Sequence, residues 1–300
     1  MSRRTPTGPT ITVITPCFDD DATLSMALAS LLAQTVDDWE CIVVDDGNSE
    51  AVAPVVERFD DDRFRLIVFE SNRGRSVARQ RALEEAQGQF ICLLDADDWY
   101  YPEKLQRQLQ AMEEHPDLAA VGAGIAVMND REELSGIRCY DPSGLQVHTG
   151  PRHHFPSVFV PSVMLRRKAA LAHEFNPNLE RSEDRDYLKR VLAGKRYGVL
   201  PRVLYAYREV YSDRSMGEAL CGFRNQRKVF RDRLFEAPVQ LGKQFAWSLV
   251  KSGVYGAARA VGRGRWLFER RNRAPTHQER REFERSRREI REVLGEKSGE

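Results

Sequence analysis

The chain of 300 residues, 41% of them hydrophobic, is long enough for one large domain around a hydrophobic core, or for one domain with appendages. Its net charge of +1 hides an asymmetry, because residues 224–300 hold 20 Lys and Arg against 10 Asp and Glu, which leaves the rest acidic. An acidic body with a basic end is unlike a nucleic-acid-binding domain, whose basic residues line the binding face, so we expect no nucleic-acid partner.

Strands and helices alternate in the first part of the chain. Apolar runs predict strands at 11–15, 39–44, 64–69, 90–94 and 119–127. Helical spacing of apolar residues predicts helices at 22–34, 52–59, 76–87 and 105–114. This alternation indicates βαβ units and hence an α/β fold with a mostly parallel sheet flanked by helices.

The pattern is looser after residue 127. Residues 130–161, rich in Gly, Pro, His and charge, predict irregular segments around the mouth of a site. A short strand is expected at 163–166 and a helix at 184–192. Residues 198–207 predict an edge strand, because Pro201 lacks the N–H that an interior strand needs.

An acidic cluster, Asp95, Asp97 and Asp98, directly follows the predicted strand 90–94. Carboxylates at the end of a buried strand lie at the sheet edge where α/β proteins bind ligands. Crowded carboxylates repel one another unless a cation or hydrogen bonds offset the repulsion, and their oxygens suit Mg²⁺ or Mn²⁺. The alternative is that Asp95 or Asp97 only caps the helix that follows Pro102.

A second acidic turn, Asp45-Asp46, follows the predicted strand 39–44. Parallel strands end at the same edge of a sheet, so the two acidic turns can converge. One carboxylate could accept a ring N–H of a nucleoside base, while the other cluster holds a cation against a diphosphate leaving group. The alternative is an ordinary Asx turn.

Several segments resemble the motifs of family 2 glycosyltransferases, in the family's order. They are the opening strand and loop at 11–19, the helix at 28–35, the acidic turn at 39–47, the helix start at 76–80 and the DxD segment at 94–105. Motifs that occur together in order are more specific than any one of them. The resemblance covers about residues 10–208 and implies a GT-A fold, a nucleotide-diphosphate sugar donor, a divalent metal (Mg²⁺ or Mn²⁺) and inversion at the anomeric carbon.

The resemblance also implies roles for single residues. Pro16 and Phe18 would lie against the nucleoside base, with Phe18 stacking on it. Asp46 would recognise the base, Asp95 would contact the ribose or the sugar, and Asp97 would bind the metal.

Inversion by direct displacement needs one carboxylate that deprotonates the acceptor hydroxyl. Glu183-Asp184 resembles the family's Glu-Asp pair, so Asp184 is the predicted catalytic base, with Asp186 the fallback if the register is shifted. The alternative is that these acids only satisfy free backbone N–H groups at a helix start. Weaker candidates for metal or phosphate contacts are His153, His154 and Arg208.

The basic end predicts a helix at 245–263 with a broad apolar arc. The arc comprises Trp247, Leu249, Val250, Val254, Ala257 and Val261, and arginines surround the nearby Trp266. Apolar and aromatic residues beside clustered arginine indicate a surface lying on anionic lipid; the alternative is a helix packed on the catalytic domain or on a second subunit. Residues 278–293 alternate acidic and basic residues and predict a solvated helix.

These observations divide the chain into a flexible N-terminus (1–9), a GT-A catalytic domain (10–216) and a helical basic extension (217–300). The nucleotide-binding half would be about 10–127 and the acceptor half about 128–216. The absence of a CxxC pair, a signal peptide and a membrane-spanning stretch predicts a cytoplasmic protein, with the inner face of the plasma membrane as its candidate attachment site.

We therefore expect an inverting glycosyltransferase that acts on a saccharide or lipid-linked acceptor in the synthesis of cell-surface polysaccharides or glycoconjugates. One alternative is a nucleotidyltransferase, although that class expects a Gly-rich basic loop where residues 16–21 are acidic. Another is a catalytically inactive scaffold that binds nucleotide sugars at a membrane.

Overall fold

The computed structural model describes residues 8–19, 21–48, 52–138, 143–151, 156–232, 235 and 238–295. The strands are β1 Ile11–Cys17, β2 Trp39–Asp45, β3 Phe64–Val68, β4 Phe90–Leu93, β5 Trp99–Tyr100, β6 Ala120–Met128, β7 Leu134–Arg138, β8 Gln146–Thr149, β9 Met164–Arg166 and β10 Arg196–Arg208. The helices are α1 Asp21–Leu32, α2 Ala53–Glu57, α3 Arg75–Glu85, α4 Lys104–Glu114, α5 Arg167–Ala170, α6 Glu183–Leu192, α7 Asp213–Asp232, α8 Pro238–Ala260, α9 Gly264–Glu269 and α10 His277–Val293.

The strands form one mixed sheet in the order β3-β2-β1-β4-β9-β6-β10-β5, with β7 added beside β6 and β8 beside β10. The first four strands of this order pair in parallel, as does the long β6–β10 ladder. β9 and β5 pair antiparallel with their neighbours. The predicted α/β class with a mostly parallel sheet is confirmed.

Helices cover both faces of the sheet, which explains the uninterrupted apolar runs of the central strands. Every residue of β1 and β2 is buried. Val13 and Val43 pack with Leu28 of α1 on one face, while the alternate residue Ile14 packs with Ala82 of α3 on the other. Strands buried on both faces are apolar throughout rather than alternating, so their positions are readable from composition.

The prediction of irregular structure throughout 130–161 is wrong for two segments. Residues 134–138 form β7, antiparallel to β6, and residues 146–149 form β8, antiparallel to β10. Both strands are partly exposed and mixed in polarity, and they are held by hydrogen bonds to partner strands that local composition does not reveal.

The prediction that 198–207 forms a sheet edge is also wrong. β10 pairs with β6 on one side and with β5 and β8 on the other. Pro201 lies where the register with β6 shifts, between Val199 and Val203. An irregularity of this kind leaves residues out of the ladder, so a proline without an N–H is tolerated inside the sheet.

The prediction of a solvated helix at 278–293 is wrong, because α10 packs on the hydrophobic core beside the sheet. Phe283 and Ile290 are fully buried, and the Phe283 ring lies 5.1 Å from that of Trp99. A capping box between Thr276 and Glu279 fixes the start of the helix. The charged residues occupy the rest of the helix surface, which masks the two apolar positions in the sequence.

Replacing Phe283 by Ala is expected to lower the free energy of unfolding by about 3–5 kcal/mol, because it leaves a cavity beside Trp99. Urea unfolding followed by tryptophan fluorescence measures this loss. The matched control is Val293→Ala in the same helix, whose side chain is exposed and whose loss should stay below about 1 kcal/mol. Equal losses in the two variants would mean that α10 is not part of the cooperative core.

Candidate functional site

A buried arginine joins three elements at the carboxyl edge of the sheet. Arg79 of α3 donates to Asp95 Oδ1 (2.5 Å), in the turn after β4, and to Glu183 Oε1 (2.7 Å), at the start of α6. Its side chain is only 1% exposed. Burial alone would raise the pKa of Asp95, but the charges of Arg79 and Arg75 outweigh it and hold that pKa below its ordinary value.

Glu183 responds in the opposite direction. Burial raises the pKa of Glu183, and the adjacent Asp184 adds to the rise, although Arg79 opposes it. The Arg79 guanidinium can pair with both carboxylates only if α3, the turn after β4 and α6 keep their relative positions. The network therefore fixes the start of α6 relative to the acidic turn.

We expect Arg79→Met to lower the free energy of unfolding by about 3–5 kcal/mol, because the buried Glu183 and the half-buried Asp95 then lose their shared partner. Denaturant titration measures this change. Arg81→Met, which removes an exposed pair with Glu85 on the same helix, is the control and should cost less than about 1 kcal/mol. Similar costs for both substitutions would contradict a structural role for the Arg79 network.

The network borders a cavity of about 670 Å³, a size typical of small-molecule sites. The cavity walls are formed by the acidic turn after β4, α3, residues 156–161, the start of α6, the end of β10, and helices α7 and α8. Residues in the wall include Arg75, Arg79, Asp95, Arg181, Glu183, Asp184, Tyr207, Phe223 and Tyr255.

Asp184 lies in the cavity wall, on the first turn of α6, and is half-buried. Its Oδ1 accepts a hydrogen bond from the backbone N–H of Arg185 at 2.7 Å, so Asp184 also satisfies a free N–H group in the first turn of α6. Ser182 before it has φ of 64°, a left-handed conformation that is uncommon for Ser and that often marks functional sites. Asp186, the fallback, pairs with Arg190 at 2.8 Å and is not among the residues that line the cavity.

Asp98 is the structural member of the acidic cluster. It is buried and accepts the Tyr205 hydroxyl at 2.6 Å and the Arg208 backbone N–H at 2.7 Å. Burial raises the pKa of Asp98 well above its ordinary value, and the charges of Asp97 and Asp95 raise it further. Asp98 therefore ties the turn after β4 to β10, while Asp95 and Asp97 are only half-buried.

The cluster does not cap the next helix, so that alternative is wrong. Trp99 and Tyr100 form β5 and pair with β10, and α4 begins only at Lys104, after the N-cap residue Glu103. Arg208 supports the turn instead of facing solvent. Its side chain donates to Asp97 O at 3.0 Å and pairs with Glu132.

The carboxylates of the second acidic turn, Asp45 and Asp46, accept hydrogen bonds from nearby backbone N–H groups. Asp46 accepts the N–H groups of Arg73 (2.8 Å) and Gly74 (3.0 Å), and burial raises the pKa of Asp46 despite these bonds. Asp45 Oδ1 accepts the backbone N–H of Asn48, so the turn alternative holds for Asp45. A carboxylate has about four acceptor positions, which leaves Asp46 capacity for another donor.

The predicted base-contacting residues share this sheet edge. Pro16 is buried opposite Val44, and Phe18 is 38% exposed just beyond β1. β1, β2 and β4 are parallel, so Phe18, Asp46 and Asp95 all follow strand ends on one edge. Asp95 and Asp184 line the cavity, whereas Pro16, Phe18, Asp46 and Asp97 are not among its lining residues.

No group of three or more His, Cys, Asp or Glu side chains is arranged to hold a metal among the residues that the structure describes. The half-buried Asp97 next to other carboxylates still suits Mg²⁺ or Mn²⁺, because these ions commonly bind one or two carboxylates together with substrate phosphates. His153 and His154 lie outside the described residues.

Sequence reasoning missed the central role of Arg79 and the contribution of α7 and α8. Arg79 lies within the 76–80 motif, but its partner Glu183 is 104 residues away. Phe223 of α7 and Tyr255 of α8 line the cavity and meet edge-to-face at 5.1 Å. The basic extension therefore forms part of the cavity wall.

Comparison with known sequences identifies relatives that match about a third of this chain. Putative teichuronic acid biosynthesis glycosyltransferase TuaG of Bacillus subtilis is 35% identical over 108 residues, 35% of this chain and 43% of that protein. UDP-Glc:alpha-D-GlcNAc-diphosphoundecaprenol beta-1,3-glucosyltransferase WfgD of Escherichia coli is 36% identical over 102 residues, 34% of this chain and 40% of that protein. These matches span about two fifths of each relative's length.

Solved structures share the fold at low sequence identity. S. aureus TarS 1–349 in complex with UDP has a TM-score of 0.63 at 19% identity, covering 80% of this chain and 70% of the TarS 1–349 chain. The mannosyltransferase PcManGT from Pyrobaculum calidifontis, in complex with GDP-Man and Mn²⁺, has a TM-score of 0.54 at 18% identity, covering 97% and 87%. The predicted GT-A fold is confirmed.

Residues 12–171, more than half of the chain, match the sequence profile of Glycosyl transferase family 2. This range includes both acidic turns and Arg79 but ends before α6 and the helices that follow. The chain belongs to glycosyl transferase family 2.

Proposed function

We propose that the protein is an inverting, metal-dependent glycosyltransferase that moves a sugar from a nucleotide-diphosphate sugar to an acceptor hydroxyl. The observation that carries the proposal is the Arg79 network. It holds the donor-side carboxylate Asp95 and the start of α6, with Asp184, in the wall of one cavity.

In the proposed reaction Asp184 takes the proton of the acceptor hydroxyl while the acceptor oxygen bonds to the anomeric carbon. The bond from that carbon to the diphosphate breaks, and the leaving diphosphate keeps the electron pair. A divalent cation bound at Asp97 would supply charge neutralisation for this departure. Asp95, held by Arg79, orients the ribose or the sugar of the donor.

The nucleoside would lie at the ends of β1 and β2, with Phe18 stacked on the base and Pro16 and Asp46 beside it. Its partly exposed ring makes Phe18 available for stacking. TarS is solved with UDP and with UDP-GlcNAc, and PcManGT with GDP-Man, which supports a nucleotide-sugar donor here.

A saccharide or lipid-linked acceptor in cell-surface polysaccharide or glycoconjugate synthesis is part of the proposal. The names of relatives support it, since they include a teichuronic acid enzyme, a diphosphoundecaprenol glucosyltransferase and the succinoglycan biosynthesis protein ExoO of Rhizobium meliloti. We propose a cytoplasmic protein attached to the inner face of the plasma membrane by its basic extension. Within the described part of the chain, no helix is long and apolar enough to cross a bilayer.

A donor screen tests the proposed activity. UDP-, GDP- and dTDP-sugars are offered with a mixture of labelled saccharide and lipid-linked acceptors, with and without Mn²⁺, and transfer is read from labelled product. The expected result is metal-dependent product from one donor class, with the opposite anomeric configuration to the donor. Tight nucleotide binding without transfer would favour the scaffold, and pyrophosphate release from a nucleoside triphosphate with a sugar phosphate would favour a nucleotidyltransferase.

A further inference from the structure

Helix α8 has its apolar side turned outward. The outer face is defined as the exposed residues Trp247, Val250 and Val254 of α8, Val261 just after the helix, and Trp266 of α9. The opposite side packs on α7: Ser248 is buried and donates to Phe223 O, and Arg227 donates to Ser252 at 2.6 Å. A helix of a soluble domain normally buries its apolar side, so this orientation indicates a partner for the outer face.

The charge around the outer face has one sign. Residues 238–267 contain no Asp or Glu, and their basic residues, all exposed, are Lys243, Lys251, Arg259, Arg263 and Arg265. Lys251 Nζ lies 5.9 Å from the Trp247 ring centroid, and Arg270 Cζ lies 4.6 Å from that of Trp266. Aromatic and cationic groups are therefore presented together.

This charge decides between the two simplest partners. In a two-fold contact between copies of the chain the same patch meets itself, which would bring like charges together at a cost. An anionic bilayer instead accepts tryptophan and valine at the headgroup boundary and gains about 1 kcal/mol for each basic residue near the surface. We propose that the outer face docks the protein on an anionic lipid bilayer.

Docking through α8 also places the cavity next to the lipid. Tyr255, on the same helix, lines the cavity with Phe223. Arg185 also lies in the cavity wall. A hydroxyl on a lipid-linked acceptor at the bilayer surface would thus lie near Asp184; this last step rests on the proposed transferase function.

Vesicle cosedimentation of the full chain, without nucleotide, tests the docking surface. Wild-type protein is expected to bind vesicles of phosphatidylcholine with phosphatidylglycerol at low salt, but not vesicles of phosphatidylcholine alone. The double variant Val250→Asp/Val254→Asp should bind at least about tenfold more weakly. The matched control is Val147→Asp/Leu171→Asp, two exposed residues elsewhere on the protein, which should bind like wild type.

A second variant, Lys251→Glu/Arg263→Glu, keeps the apolar residues and should weaken binding and its salt dependence. The proposal would be overturned if wild-type protein bound neutral vesicles equally well, or if Val250→Asp/Val254→Asp and Lys251→Glu/Arg263→Glu both bound like wild type. It would also be overturned if wild-type protein formed a dimer that did not bind vesicles and that Val250→Asp/Val254→Asp dissociated. Transfer to a water-soluble acceptor should be the same in wild type and both variants; its absence in all of them would count against the proposed function and leave the docking result standing.

Discussion

Asp184→Asn is expected to lower kcat for sugar transfer by about 10²–10⁴-fold, with little change in the KM for the donor. The amide keeps the shape of the side chain and can still accept the Arg185 N–H, but it cannot take a proton from the acceptor hydroxyl. Release of nucleoside diphosphate in the presence of acceptor measures the effect. Circular dichroism checks that the fold is retained.

The control for this substitution is Asp186→Asn, two residues along the same helix. Asp186 pairs with Arg190 and does not line the cavity, so its loss should lower stability but keep kcat within a few-fold, on the order of 1 kcal/mol in the barrier. If instead Asp186→Asn abolishes transfer and Asp184→Asn does not, the base has been assigned to the wrong carboxylate.

Asp97→Asn is expected to remove the effect of the divalent metal. Calorimetric titration of the nucleoside diphosphate that matches the donor should show tighter binding with Mn²⁺ for wild type and no Mn²⁺ effect for the variant. A metal contributes several kcal/mol of charge stabilisation during departure of the diphosphate, so kcat should fall by about 10²–10³-fold.

Asp98→Asn is the control that distinguishes metal binding by Asp97 from an effect of losing any carboxylate of the acidic cluster. Asp98 is committed to the Tyr205 hydroxyl and the Arg208 N–H, so its substitution should lower the unfolding midpoint but preserve the Mn²⁺ effect on nucleotide binding. A variant Asp97→Asn that still binds nucleotide more tightly with Mn²⁺ would place the metal elsewhere.

The central strands and helices could be predicted from sequence because their environment is uniform. β1, β2 and β4 are buried along their whole length, so each is an apolar run between turn residues. β7, β8 and the interior position of β10 could not be predicted in this way. Their residues are mixed in polarity, and β8 and β10 pair with strands that are distant in the chain. β7 pairs with the preceding strand β6, but it is only partly buried and so is not a continuous apolar run.

Helices α8 and α10 show what hydrophobic periodicity in the sequence cannot predict. The clear apolar arc of α8 remains exposed, while the two apolar residues Phe283 and Ile290 of the highly charged α10 are fully buried. Hydrophobic spacing shows that a helix has an apolar side. It does not show whether another element covers that side, because coverage depends on where the chain returns in space.

The sequence by itself determined the fold class, the two acidic turns after buried strands and the resemblance to family 2 glycosyltransferases, because these follow from local runs and ordered motifs. Only the tertiary structure decided which carboxylates share an environment. Arg79 meets Asp95, 16 residues away, and Glu183, 104 residues away, because a buried charge must be matched by charges that packing brings to it. The position of α6 that results puts Asp184, but not Asp186, in the cavity wall. The packing of α7 against α8 leaves the apolar side of α8 facing outward.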